Sequence, residues 1–128
     1  MEERGMRYDF RKQVRSFRYA WQGIRCCVGR EQNLGFHLVA TVMVVTAGIC
    51  FGITRMEWMM IVGCIGLVIA AELFNSALER LVDLVSPEYH PLAGQVKDIA
   101  AGAVLVCALA ACIIGLIIFV PYLTRCFL

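Results

Sequence analysis

The stretch Trp58-Met-Met-Ile-Val-Gly-Cys-Ile-Gly-Leu-Val-Ile-Ala-Ala-Glu72-Leu-Phe-Asn75-Ser-Ala-Leu-Glu79-Arg-Leu-Val-Asp83 carries no charge before Glu72, then places four polar residues at steps of three, four and four. The apolar part, Trp58 to Phe74, approaches the ~20 residues that an α-helix needs to cross the hydrocarbon core of a bilayer. It is short by itself, so the spacing predicts a helix that continues through Asn75 to about Val85. Two more apolar runs, roughly Leu34 to Ile53 and Ile99 to Leu123, flank it. Three spans of this kind define an all-α membrane protein.

Composition points the same way. With 128 residues, 60% of them hydrophobic, and a mean hydropathy of +0.73, a soluble domain would leave much of its apolar surface in water. A net charge of +2 is too small to argue for nucleic acid, and no nucleic-acid partner is expected. The first thirty residues are polar and basic, without an apolar stretch and small-residue cleavage site, so no removable signal peptide is expected. Seven cysteines (Cys26, Cys27, Cys50, Cys64, Cys107, Cys112 and Cys126) form an odd set without CxxC spacing. They read as small hydrophobes used for packing.

The distribution of charge predicts topology. Eight of the twelve basic residues (Arg4, Arg7, Arg11, Lys12, Arg15, Arg18, Arg25 and Arg30) precede the first span, and Arg80 and Lys97 lie in the second connection. Arg55 and Arg125 remain for the other side, so the positive-inside rule places the N-terminus in the cytoplasm of a multi-pass protein. Thr54 to Glu57 is expected to be a tight hairpin outside. Arg80 to Asp98 is expected to be a longer cytoplasmic connection, punctuated by Pro87, Pro91 and Gly94.

Before the first span, Phe10, Val14, Phe17, Trp21, Ile24 and Val28 recur at steps of four and three, with basic residues on the remaining arc. This pattern predicts an amphipathic helix lying in the membrane interface. The chain thus divides into an N-terminal arm and surface helix (residues 1–30), a three-helix membrane domain (31–123) and a short tail (124–128).

Glu72, Asn75, Glu79 and Asp83 share one helix face. A carboxylate within a span costs a few kcal/mol at the bilayer centre and less near the interface, so Glu72 needs a partner, a proton or a wet cavity. Further acids on the same stripe repel it unless a cation intervenes. Mg²⁺ suits such a site, because it takes a few carboxylate oxygens, keeps waters and completes its shell with phosphate oxygens. The stripe therefore reads as half of a phosphoryl-transfer site, and Asp83, furthest out, as a partner for Arg80, Lys97 or the basic helix.

Glu31 and Asn33 gather at the entrance to the first span, and Lys97 and Asp98 at the entrance to the third. His37, four residues after Asn33, is expected to hydrogen-bond with it. Three spans cannot shield an acidic stripe from lipid on every side, which predicts self-association. Gly63, Gly66 and Ala70, and Ala103, Cys107, Ala111 and Gly115, provide small residues at helical spacing for close packing.

The segments Glu72-Leu-Phe-Asn75-Ser-Ala-Leu-Glu79-Arg-Leu-Val-Asp83, Glu88-Tyr89-His90 and Lys97-Asp98-Ile-Ala-Ala-Gly102-Ala-Val resemble the small prokaryotic diacylglycerol kinase and undecaprenol kinase family. So do Tyr19-Ala-Trp21-Gln-Gly23 and Glu31, and the likeness runs from about Phe17 to Tyr122. It implies a homotrimer with active sites shared between subunits, in which each chain has a surface helix and three spans. It also implies a bacterial inner-membrane enzyme that phosphorylates a membrane lipid alcohol with ATP and Mg²⁺.

Glu72 would be the general base, Asn75 a positioning group, and Glu31 and Glu79 the carboxylates for Mg²⁺. Tyr19, Lys97, Asp98 and the Glu88-Tyr89-His90 turn would contact ATP. Where the diacylglycerol kinases carry an arginine on the surface helix to meet phosphate, this chain has Lys12, which acts as a point charge instead of a bidentate fork. There is no P-loop, so helix-borne side chains must hold the nucleotide. The stretch Glu31-Gln-Asn33-Leu-Gly-Phe-His37 resembles undecaprenol kinases more closely than diacylglycerol kinases, favouring undecaprenol as the acceptor.

A different class of function, a small proton-coupled transporter or channel, would use Glu72 to carry protons. A structural subunit whose charges only bind partners is a third reading. Acids concentrated at one edge of the membrane, instead of along a path through it, favour the kinase.

Overall fold

The computed structural model describes residues 7–128; Arg4, counted above for topology, lies outside the described residues. The chain forms four helices: α1 (Phe10–Cys27), α2 (Gln32–Phe51), α3 (Arg55–Val85) and α4 (Pro91–Phe127). The last three are long and apolar enough to cross a membrane.

Each boundary has a local cause. Asp9 caps α1 by accepting the Arg11 backbone N–H at 3.0 Å, and Gly29 breaks the chain away at φ +85°. α2 ends on Gly52 in the left-handed region, φ +62°, whose N–H returns to the last turn. Thr54 and Glu57 then form a reciprocal capping box that starts α3. At the other connection His90 Nδ1 accepts the Leu92 N–H at 3.1 Å, and Pro91, with its preset φ, opens α4.

These caps correct the expected loops. The second connection is not Arg80 to Asp98 but Ser86 to His90, because α3 runs on to Val85 and α4 begins at Pro91. The first contracts likewise, since Arg55 to Glu57 are already helical. α4 also passes Leu123 and Pro121 without stopping, reaching Phe127.

At 1.5 Å per residue, α2 covers roughly 30 Å, about one hydrocarbon core, whereas α3 covers roughly 47 Å and must project beyond it. Thr41 and Thr46 return their hydroxyls to the carbonyls of His37 and Val42, at 2.8 and 2.7 Å, so neither is left unpaired in an apolar setting. Val39, Val42, Met43, Leu105, Ile113 and Leu116 remain exposed. Helices apolar on their outer faces need hydrocarbon around them, and the chain is a membrane protein.

α3 is the central element. It packs extensively along α4, less along α2, and touches α1 at one end. Near the Thr54 hairpin, Ile53, Ile61 and Ile118 form a buried core with Trp58, Phe51, Phe119 and Tyr122 packed on it. Gly48 is required there, since an added Cβ would lie 2.7 Å from the Trp58 ring. All seven cysteines are free thiols, and only Cys27 is buried.

Candidate active site

The buried polar and charged residues among those described are Glu72, Asn75 and Ser76, 3%, 7% and 2% exposed. All three lie within about one turn of α3, far from the hydrophobic core at the hairpin. Exposure rises along the acidic stripe, with Glu79 half-buried and Asp83 exposed. The register set by Lys97 on Asp83 and by Ile61 with Ile118 brings buried Ala100 and Val104 of α4 to the level of Glu79 and Asn75.

Glu72 has one partner among the described residues. His37 of α2 places Nε2 3.0 Å from Glu72 Oε1, which is where the imidazole is used, instead of the expected bond to Asn33. The physical reason is depth. In an antiparallel pair of helices joined at Thr54, residues seventeen before and eighteen after the turn lie level, and these are His37 and Glu72. Asn33 is exposed and can use water, whereas a buried carboxylate cannot. Equal distance from the hairpin was the signal in the sequence that would have found this pair.

One turn on, Asn75 Nδ2 donates to Glu79 Oε1 at 3.4 Å, while Asn75 Oδ1 is buried with no hydrogen-bond partner among the described residues. An unpaired buried acceptor costs free energy unless something arrives to use it. An amide oxygen beside a carboxylate is a hard-oxygen donor set of the sort that Mg²⁺ accepts. Ser76, the third buried polar residue, was not anticipated as part of this group.

Glu31 caps the approach to α2 and is 29% exposed, with Oε1 3.5 Å from Arg80 Nη2. Arg80 Nη1 also donates to Cys26 Sγ at 3.4 Å, tying α1 to α3. Arg80 therefore bridges three helices, a role that its position in the sequence did not reveal. Among the described residues, no three His, Cys, Asp or Glu side chains form a group that could hold a metal ion. Within one chain Glu31 is thus engaged by Arg80, and Glu79 by Asn75.

Lys97 Nζ donates to Asp83 Oδ1, so the expected pairing of Asp83 with a cation is present. Glu88 and Tyr89 are exposed in the short connection, with Tyr89 91% open and the Glu88 carbonyl accepting from Ser86 Oγ. Asp98, Lys12 and Tyr19 are exposed on α4 and α1. None of these five side chains is bonded to Glu72 or Asn75 among the described residues. The structure thus puts Glu72, Asn75 and Glu79 on one helix face, with Lys97 engaged by Asp83 and His90 by the Leu92 N–H, while Lys12, Tyr19, Glu88, Tyr89 and Asp98 stay exposed.

The family described as prokaryotic diacylglycerol kinase matches this chain over residues 18–119. The undecaprenol kinase of Bacillus subtilis is 41% identical over 123 residues, covering 96% of this chain and all of that protein. A diacylglycerol kinase of Synechocystis is 40% identical over 107 residues, which are 83% of this chain and 61% of that protein. The diacylglycerol kinase of Escherichia coli K12 is 29% identical over 104 residues, 81% of this chain and 85% of its own. The buried acidic turn of α3 lies within the matched region, and the chain belongs to the prokaryotic diacylglycerol kinase family of membrane lipid kinases.

Proposed function

We propose that this protein uses ATP and Mg²⁺ to phosphorylate undecaprenol at the cytoplasmic face of a bacterial inner membrane. The observation that carries the reading is Glu72, buried where the apolar part of α3 gives way to its acidic stripe and held by His37 at 3.0 Å. Undecaprenol is favoured over diacylglycerol because the relative matched over its full length is an undecaprenol kinase.

In the mechanism, the acceptor hydroxyl reaches Glu72 at the membrane interface. Glu72 takes its proton as the oxygen attacks the γ-phosphorus of ATP; the new P–O bond forms while the bond to the β–γ bridging oxygen breaks, leaving ADP. Glu31 and Glu79 would hold Mg²⁺, and the buried Asn75 oxygen suits the same hard-oxygen environment. When bound, that ion neutralises phosphate charge. Lys97, Asp98, Tyr19, Lys12 and the Glu88-Tyr89-His90 turn position the nucleotide, and the lipid stays in the bilayer while its head meets a water-soluble donor. Most of the rate enhancement is then positional.

The eight basic residues before α2 orient the N-terminus toward the cytoplasm. α1, basic on one arc and apolar on the other, lies on the membrane surface as an arm distinct from the α2–α4 kinase domain. A homotrimer covers what one chain leaves open: Gly63 and Gly66 have nothing within 4 Å of an added Cβ, so these small residues are not used for packing inside the chain. The buried polar groups occupy one turn of α3 rather than a path across the bilayer, which disfavours the transporter.

The test is direct. Purified protein in lipid nanodiscs receives Mg²⁺, γ-labelled ATP and either undecaprenol or diacylglycerol. Labelled undecaprenyl phosphate is expected as the main product. Labelled phosphatidic acid instead would reassign the acceptor, and no labelled lipid with either alcohol would remove the kinase mechanism.

A further inference from the structure

We infer that His37 is a positioning residue for phosphoryl transfer, holding Glu72 Oε1 so that Oε2 is presented to the acceptor hydroxyl. This rests on the reading of Glu72 as the general base. Three observations carry it. Glu72 is 3% exposed, so its carboxylate lacks bulk water to orient or stabilise it. His37 Nε2, at 3.0 Å, is its one bonded partner among the described residues. The imidazole also lines a groove of about 540 Å³ between α2, α3 and α4, whose other walls include Val44, Ile65, Val68, Leu116 and Phe119.

The groove gives the pair a chemical setting. Its walls are apolar, and the buried Glu72 carboxylate, bonded to a residue that lines it, depends on a fixed donor more than one in water does. With Nε2 protonated, His37 donates to Oε1 and leaves the second oxygen with free lone pairs. A carboxylate held at one oxygen cannot swing, and the remaining oxygen meets the hydroxyl in a narrow range of angles.

The test compares wild type, His37→Leu, His37→Gln and Glu72→Gln as full-length proteins in nanodiscs, with undecaprenol and Mg-ATP. His37→Leu removes the donor, and kcat should fall about 10²-fold with the KM for ATP little changed. His37→Gln keeps an N–H donor, so it should recover most of kcat. Equal kcat in the Leu and Gln variants would overturn the inference. Should the Leu variant fail to assemble, a kcat in His37→Gln as low as in Glu72→Gln, at wild-type assembly and KM for ATP, would overturn it as well. Glu72→Gln separates the levels: if it retains turnover, the general-base reading fails, whereas an inactive Glu72→Gln beside a fully active His37→Leu sinks only the role of His37.

Discussion

The two ends of this helix bundle handle polar groups in opposite ways. At the hairpin end, Glu57 completes the cap of α3 and also accepts the Tyr122 hydroxyl at 2.6 Å from α4. Arg125 lies over the Tyr122 ring at 5.9 Å, and the Phe51 and Tyr122 rings pack at 5.8 Å above the isoleucine core. Each of these groups has its partner within the chain. At the other end, among the described residues, Glu72 has one partner, Asn75 has an oxygen with none, and the Arg80–Glu31 contact is a long 3.5 Å. One end is closed and structural. The other is held short of satisfaction within one chain.

The contrast can be broken at either end. Glu72→Gln, which keeps size and hydrogen-bonding ability but removes the base, should reduce lipid phosphorylation by about 10³-fold or more, at the upper part of the range for general acid–base catalysis. Size-exclusion chromatography should show the wild-type assembly. Retained turnover would mean that the open end is not the catalytic one. Glu79→Gln should raise the Mg²⁺ concentration needed for half-maximal activity about tenfold. A Mg²⁺ titration at saturating ATP checks this, and an unchanged curve would remove Glu79 from the ion's surroundings.

At the closed end the effects should fall on stability. Gly48→Ala forces the Trp58 ring to move and should cost about 1–3 kcal/mol, as overpacked cores do; unfolding in mixed micelles would measure it. Tyr122→Phe removes the hydroxyl on Glu57 and should cost about 1 kcal/mol, with kcat unchanged. A loss of turnover in either variant at full assembly would show that the two ends are coupled.

Much of this was legible along the chain. The three apolar runs appear as α2, α3 and α4, and the continuation of the middle one to about Val85 is where α3 ends. Periodicity placed Glu72 and Asn75 on one face because a helix repeats locally, and both are buried there. The second connection was misjudged as long because charge and proline were read as loop, although Pro91 at a helix start favours the helix. The pairing of His37 with Glu72 went unseen because a nearby Asn33 offered a local partner, and local periodicity does not report on the opposite helix.

Sequence by itself determined the solvent, the number of spans and the face that carries the acids, since each follows from hydropathy and helical repeat within a single segment. Only the tertiary structure decided which groups answer those acids: His37 for Glu72, Arg80 for Glu31, Lys97 for Asp83, and none of the described residues for the Asn75 oxygen. Those pairings depend on how antiparallel helices align in depth and rotation, and that alignment is set by packing between segments far apart in the chain.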